Sequence, residues 1–151
     1  MADRFPSLSS AVCYLDPRAA LAWLETAFGF EVSMLIEDAE GNIAHSEMRF
    51  GSGVVMVGNE WSADHKSPRS LGGKNTQTVH IQIETNLDAH CERARAAGAE
   101  ILMEPETQFY GDRTYRCRDP EGHIWTVAQT VETVTHEQME ATSGLKITGW
   151  A

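Results

Sequence analysis

The residues of this chain best suited to chemistry fall on short segments whose side chains should alternate, so that positions two apart share a face. In residues 43–50 alternation groups His45, Glu47 and Arg49 against Ser46, Met48 and Phe50. In 78–84 it groups Thr78, His80 and Gln82 against Val79, Ile81 and Ile83. Thr114, Arg116 and Arg118 oppose Tyr115 and Cys117, and Thr126 and Ala128 oppose Trp125 and Val127. An imidazole beside a carboxylate can hold a divalent ion or work as an acid and base pair, and a guanidinium recognises anionic groups. Trp61, Phe109 and Tyr110, expected on loops, offer rings that could cover an apolar or cationic ligand. Each also has a plain structural use: the histidines as satisfied strand residues, Arg49 and Arg116 as a solvated face of little energetic worth, Trp125 as core. No Gly-x-Ser-x-Gly elbow is present, and Leu71-Gly72-Gly73-Lys74 lacks the rest of a phosphate loop.

The elements expected to position these groups repeat. A strand over 9–15 leads to Asp16-Pro17, an N-cap with proline at the first helical position. Ala20, Leu21, Leu24, Ala27 and Phe28 then recur at helical spacing, and Gly29 is placed for a left-handed C-terminal cap. Strands over 31–36, 43–50 and 54–58 follow, separated by turn-like Glu40-Gly41-Asn42 and Gly51-Ser52-Gly53. After a polar connection the order begins again: a strand over 78–84, a helix from Asn86 to Gly98, and strands over 100–103, 113–118 and 124–130. Ala-x-Gly-x-Glu-(Val/Ile) occurs at Gly29 and again, 69 residues on, at Gly98. The sequence therefore predicts one α+β domain over 1–151: a βαβββ module at about 7–60, a linker at about 61–75, a second module at about 76–130 and an extension over 131–151. In that extension Thr135 and Gln138 form a capping box, Ser143-Gly144 ends the helix, and 145–150 is extended.

With 151 residues and a net charge of −10, the chain lacks the clustered cations that nucleic acid or an anionic membrane would need. Cys13, Cys91 and Cys117 contain no CxxC pair and cannot all be bridged. With no apolar leader or spanning run, a cytoplasmic protein with reduced thiols is expected.

Gly111-Asp112-Arg113-Thr114-Tyr115-Arg116 followed by Asp119-Pro120-Glu121-Gly122-His123-Ile124-Trp125 resembles the second-module hairpin of the vicinal oxygen chelate superfamily, the glyoxalase, bleomycin-resistance and dioxygenase proteins. Tyr14-Leu15-Asp16, Ala27-Phe28-Gly29-Phe30-Glu31 and His45-Ser46-Glu47-Met48-Arg49-Phe50-Gly51 resemble its first module, and the likeness spans about residues 7–130. The resemblance implies two curved mixed sheets around a ligand cup, homodimers, and often a divalent metal. The positions it implies for metal ligands carry Ser9, Thr78 or Val79, Met56 and Thr126, all weak donors or none. The expectation is a metal-independent small-molecule binder without cofactors, its cup formed by His45, Glu47, Arg49, His80, Gln82, Thr114, Arg116 and Thr126 and rimmed by Trp61, Phe109 and Tyr110. The alternative is a glyoxalase- or dioxygenase-like lyase or isomerase with a divalent ion on a shifted site of His80, His45 and Glu47.

Overall fold

The computed structural model describes residues 5–149; the expectations that fall on residues 1–4 and on Trp150 lie outside the described residues. The first module runs β1 (Ser10–Tyr14), α1 (Pro17–Phe28), β2 (Glu31–Glu37), β3 (Ile43–Phe50) and β4 (Gly53–Asn59). The second runs β5 (Val79–Gln82), α2 (Leu87–Ala96), β6 (Glu100–Thr107), β7 (Asp112–Arg118) and β8 (Ile124–Thr130), and α3 (His136–Ser143) follows. Each module makes an open four-stranded sheet, in orders β1-β4-β3-β2 and β5-β8-β7-β6. β1 lies parallel to β4 and β5 to β8, the other pairs being antiparallel. The expected α+β architecture of two mixed-sheet βαβββ modules is thus present.

The helix ends form as their local chemistry dictates. The Asp16 carboxylate accepts the Ala19 N–H, Pro17 occupies the first turn, and Gly29 closes α1 with φ 78°. Asn86 caps α2 by accepting from Ala89 N–H. Thr135 and Gln138 make the reciprocal capping box of α3. Residues 145–149 beyond it form no regular element.

β6 is longer than the expected 100–103, reaching Thr107 through Pro105. It is an edge strand whose pairing with β7 slips twice, so a residue without an N–H donor is tolerated there.

The two modules join back to back through their helices. Trp23 Nε1–H donates to the Ala97 carbonyl at 2.9 Å, and the Arg93 guanidinium donates to Thr26 O and Glu25 O at the C-terminal end of α1, where a cation also meets the negative end of the helix dipole. Beneath them Phe28 and Phe30 both pack edge-on against the fully buried Trp125.

The second tie is the Asp119-Pro120-Glu121-Gly122-His123 turn. Buried Asp119 accepts Tyr14 O–H at 2.6 Å, Trp125 Nε1–H at 3.1 Å, and the backbone N–H groups of Glu121 and His123. Buried Glu121 accepts Leu15 N–H, Asp16 N–H and Ser67 Oγ–H. Two carboxylates of the second module thereby hold the β1–α1 corner of the first, with each oxygen satisfied.

Candidate functional site

Strand register arranges the chemistry-bearing side chains in two matching rows. In the first sheet Ala11 pairs with Met56, Met56 with Glu47, and Glu47 with Met34. In the second, His80 pairs with Thr126, Thr126 with Arg116, and Arg116 with Met103. The rows correspond across the repeat, and both lie on the sheet face opposite the helices: the alternate residues Met48 and Ser46, Tyr115 and Cys117, and Trp125 and Val127 are buried. Glu47 departs from simple alternation, being buried like its neighbours Ser46 and Met48.

Local partners differ between the rows. His45 Nε2 and Glu47 Oε1 lie 2.9 Å apart, the carboxylate nearly buried and the imidazole half exposed. Arg49 is exposed at the next step along β3. Exposed Arg116 donates through Nε to Thr126 Oγ1 at 3.2 Å. His80 Nε2 stands 3.5 Å from Gln82 Oε1, a weak contact, while Gln82 Nε2–H donates to Thr130 Oγ1 at 3.1 Å. Thr114 is buried, its Oγ1 accepting from Gln108 Nε2–H, so a ligand would reach that hydroxyl only by displacing the Gln108 amide.

The loop aromatics lie apart from one another. Trp61 is 68% exposed and stacks on His65, with ring centroids 3.9 Å apart. Phe109 and Tyr110 meet edge to face at 5.3 Å. Burial, and then the nearby Asp112 charge, raise the Tyr110 phenol pKa above its ordinary value.

A cleft of about 750 Å3 opens along the seam where β1 and β5 approach, with Ser9, Thr78, His80, Gln82 and Phe50 among its walls. It takes in His80 and Gln82 but not His45, Glu47 or Arg49. The two rows therefore remain on separate sheets within one chain. Among the described residues no three His, Cys, Asp or Glu side chains are placed to share a metal ion, so His80, His45 and Glu47 do not converge. The positions at which the resemblance implies metal ligands offer hydroxyls at Ser9, Thr78 and Thr126 and a thioether at Met56. This donor set does not suit a hard divalent ion.

Residues 9–127 match the Glyoxalase/Bleomycin resistance protein/Dioxygenase superfamily. The chain belongs to this superfamily. Among similar solved structures, TioX from Micromonospora sp. ML1 superposes with a TM-score of 0.64 at 28% identity, over 83% of this chain and 99% of TioX. A superfamily member from Sphaerobacter thermophilus gives a TM-score of 0.64 at 19% identity, over 80% of this chain and 94% of its own. The Mycobacterium tuberculosis protein Rv0887c is 29% identical over 140 residues, 90% of this chain and 81% of the relative.

Sequence reasoning missed two parts of the superfamily fold. The Asp119 and Glu121 carboxylates were legible as a motif, but their partners, Tyr14, Leu15, Asp16 and Ser67, lie 54 to 106 positions away. His90 sits on α2 with Nδ1 2.6 Å from the Tyr115 hydroxyl and Nε2 3.3 Å from the Phe28 carbonyl. Burial lowers its pKa. The only signal for it was its place on the α2 stretch.

Proposed function

We propose that this protein is a metal-independent small-molecule-binding member of the superfamily, of the bleomycin-resistance kind, working in the cytoplasm as a homodimer. One observation carries the reading. The face that presents His80, Arg116 and Thr126 in one sheet and His45, Glu47 and Arg49 in the other is polar and partly open, while the positions expected to ligate metal hold hydroxyls and a thioether. Such a face binds by hydrogen bonds and charge, with ring contacts at Trp61, Phe109 and Tyr110 closing over the ligand. Association of two copies supplies the walls that the separate rows lack, which is why a dimer belongs to the proposal.

The His45–Glu47 pair supports a second reading. A half-exposed imidazole 2.9 Å from a nearly buried carboxylate is a geometry suited to moving a proton, as a glyoxalase-like lyase or isomerase would require.

The experiment is a small-molecule thermal-shift screen of the full chain in chelator, repeated with added Zn and Ni. The proposal expects the same compounds to stabilise the protein in both conditions, and expects His80→Ala and Arg116→Ala to weaken them about tenfold or more. Hits that vanish in chelator would overturn it in favour of the enzyme reading.

A further inference from the structure

Beyond Thr130 the chain leaves the stretch that matches the superfamily and folds back on its second sheet. Val131 and Glu132 both donate their N–H groups to the Gly111 carbonyl, at 3.0 and 3.1 Å. A Cβ at Gly111, where φ is 98°, would fall 2.3 Å from the Glu132 carbonyl oxygen, so this contact fixes glycine at the β6–β7 turn. The returning segment ends in α3, whose Met139 is buried.

Between this segment and the ends of β5, β7 and β8 lies an open cleft of about 790 Å3, with Gln82, Tyr110, Asp112, Thr133, His136 and Met139 among its walls. That volume accommodates a ligand of ordinary small-molecule size. Asp112 and Glu132 bring two carboxylates to its wall. The Asp112 carboxylate accepts from the Thr130 hydroxyl at 2.8 Å, and no ion pair among the described residues involves it. His136 Nε2 is buried and has no hydrogen-bond partner among the described residues. Glu137 stands in the first turn of α3. At that helix end the capping box occupies the Thr135 and Gln138 N–H groups.

We propose that this cleft is a second binding site, built by the C-terminal extension, for a small organic cation: a protonated amine with an apolar body. The ammonium donates to Asp112 and, with the imidazole proton on Nδ1, to His136 Nε2. The apolar body lies against Met139 and the Tyr110 ring, whose face favours a cation. An anion would instead meet Asp112 and Glu132 with no Lys or Arg among the described residues of the wall. The site shares only Gln82 and Tyr110 with the face assigned above, and it stands or falls separately from that assignment.

The test is a titration of the isotopically labelled full chain with 2-phenylethylammonium, followed by nuclear magnetic resonance, with 2-phenylethanol and 3-phenylpropionate as controls of the same shape. Saturable shifts are expected at Val134, His136 and Met139 for the ammonium ion and not for the alcohol or the carboxylate. Asp112→Asn, and independently His136→Ala, should each weaken the ion about tenfold with native spectra otherwise kept. Three outcomes would overturn the proposal: no shifts up to about 10 mM, shifts confined to His45, Arg49 and Arg116, or equal binding by the alcohol or the carboxylate. Shifts confined to those three residues would leave the reading of the main face standing while removing this one.

Discussion

Glu47 and Arg116 occupy the same point of the two sheets, each flanked by the β4 or β8 residue of its row and by a methionine of β2 or β6, yet they are oppositely charged and differently buried. Glu47 is packed against the chain and paired to His45, whereas Arg116 reaches solvent. Truncating them should therefore act on different observables. Glu47→Ala should cost about 1 kcal/mol of stability, because it removes a nearly buried side chain and its contact with His45. Arg116→Ala should cost less than about 0.5 kcal/mol while weakening ligand binding. Urea denaturation beside ligand titration separates the two, and equal stability losses would contradict the asymmetry.

The Asp119 turn should be the most sensitive polar site for folding. Asp119→Ala strands the Tyr14 hydroxyl, the Trp125 indole N–H and two backbone N–H groups in the interior, for an expected loss of about 3–4 kcal/mol. Tyr14→Phe removes one donor and leaves three, so about 1 kcal/mol is expected. Denaturation midpoints measure both, and a mild Asp119→Ala would show that the turn is not what ties the modules.

Thiol reactivity should follow burial. Cys91 and Cys117 are fully buried, and desolvation pushes their pKa values up to about 11 and about 12; Cys13 is partly covered and is also raised by burial. Because the folded chain keeps these protons when the unfolded chain has lost them, stability should decline as pH rises above the ordinary thiol range. At pH near 8, where the thiolate is the reactive form, an aromatic disulfide reagent should titrate at most Cys13 in the native protein and all three thiols in denaturant. Rapid native labelling of Cys91 or Cys117 would contradict the packing of α2 on the second sheet.

His90 sets a dependence at the acid side. Its folded pKa lies below that of the unfolded chain, where a histidine titrates near pH 6.5. Across the window between the two values the unfolded chain binds more protons, so stability rises with pH there and is lost as pH falls below about 6.5. His90→Gln, which can still bond the Tyr115 hydroxyl, should flatten that slope in denaturation series run from about pH 7 to 5. An unchanged slope would assign the effect to other groups.

The elements and the facing of the rows were legible because alternation and helix caps are local signals: Asp16, Gly29, Asn86 and the Thr135–Gln138 box all act where their sequence chemistry places them. The repeat at Gly29 and Gly98 was legible for the same reason. What escaped was set by distant packing. The length of β6 through Pro105 depended on its place at a sheet edge, and the covering of Thr114 by Gln108 depended on how β6 returns over β7. The separation of His45 and Glu47 from His80 follows from the helix-to-helix joining of the modules, through Trp23 with Ala97 and Arg93 with Thr26. No strand pattern encodes that arrangement.

The measurement that bears most directly on the central claim is metal analysis of the purified full chain by plasma mass spectrometry. It is made after dialysis without chelator and again after loading with Zn, Ni, Mn and Fe(II). A metal-independent binder retains well under one ion per chain in every case, because Ser9, Thr78, Met56 and Thr126 cannot hold one. Retention of about one ion per chain, lost on His80→Ala, would contradict the account and make the lyase or isomerase reading the correct one.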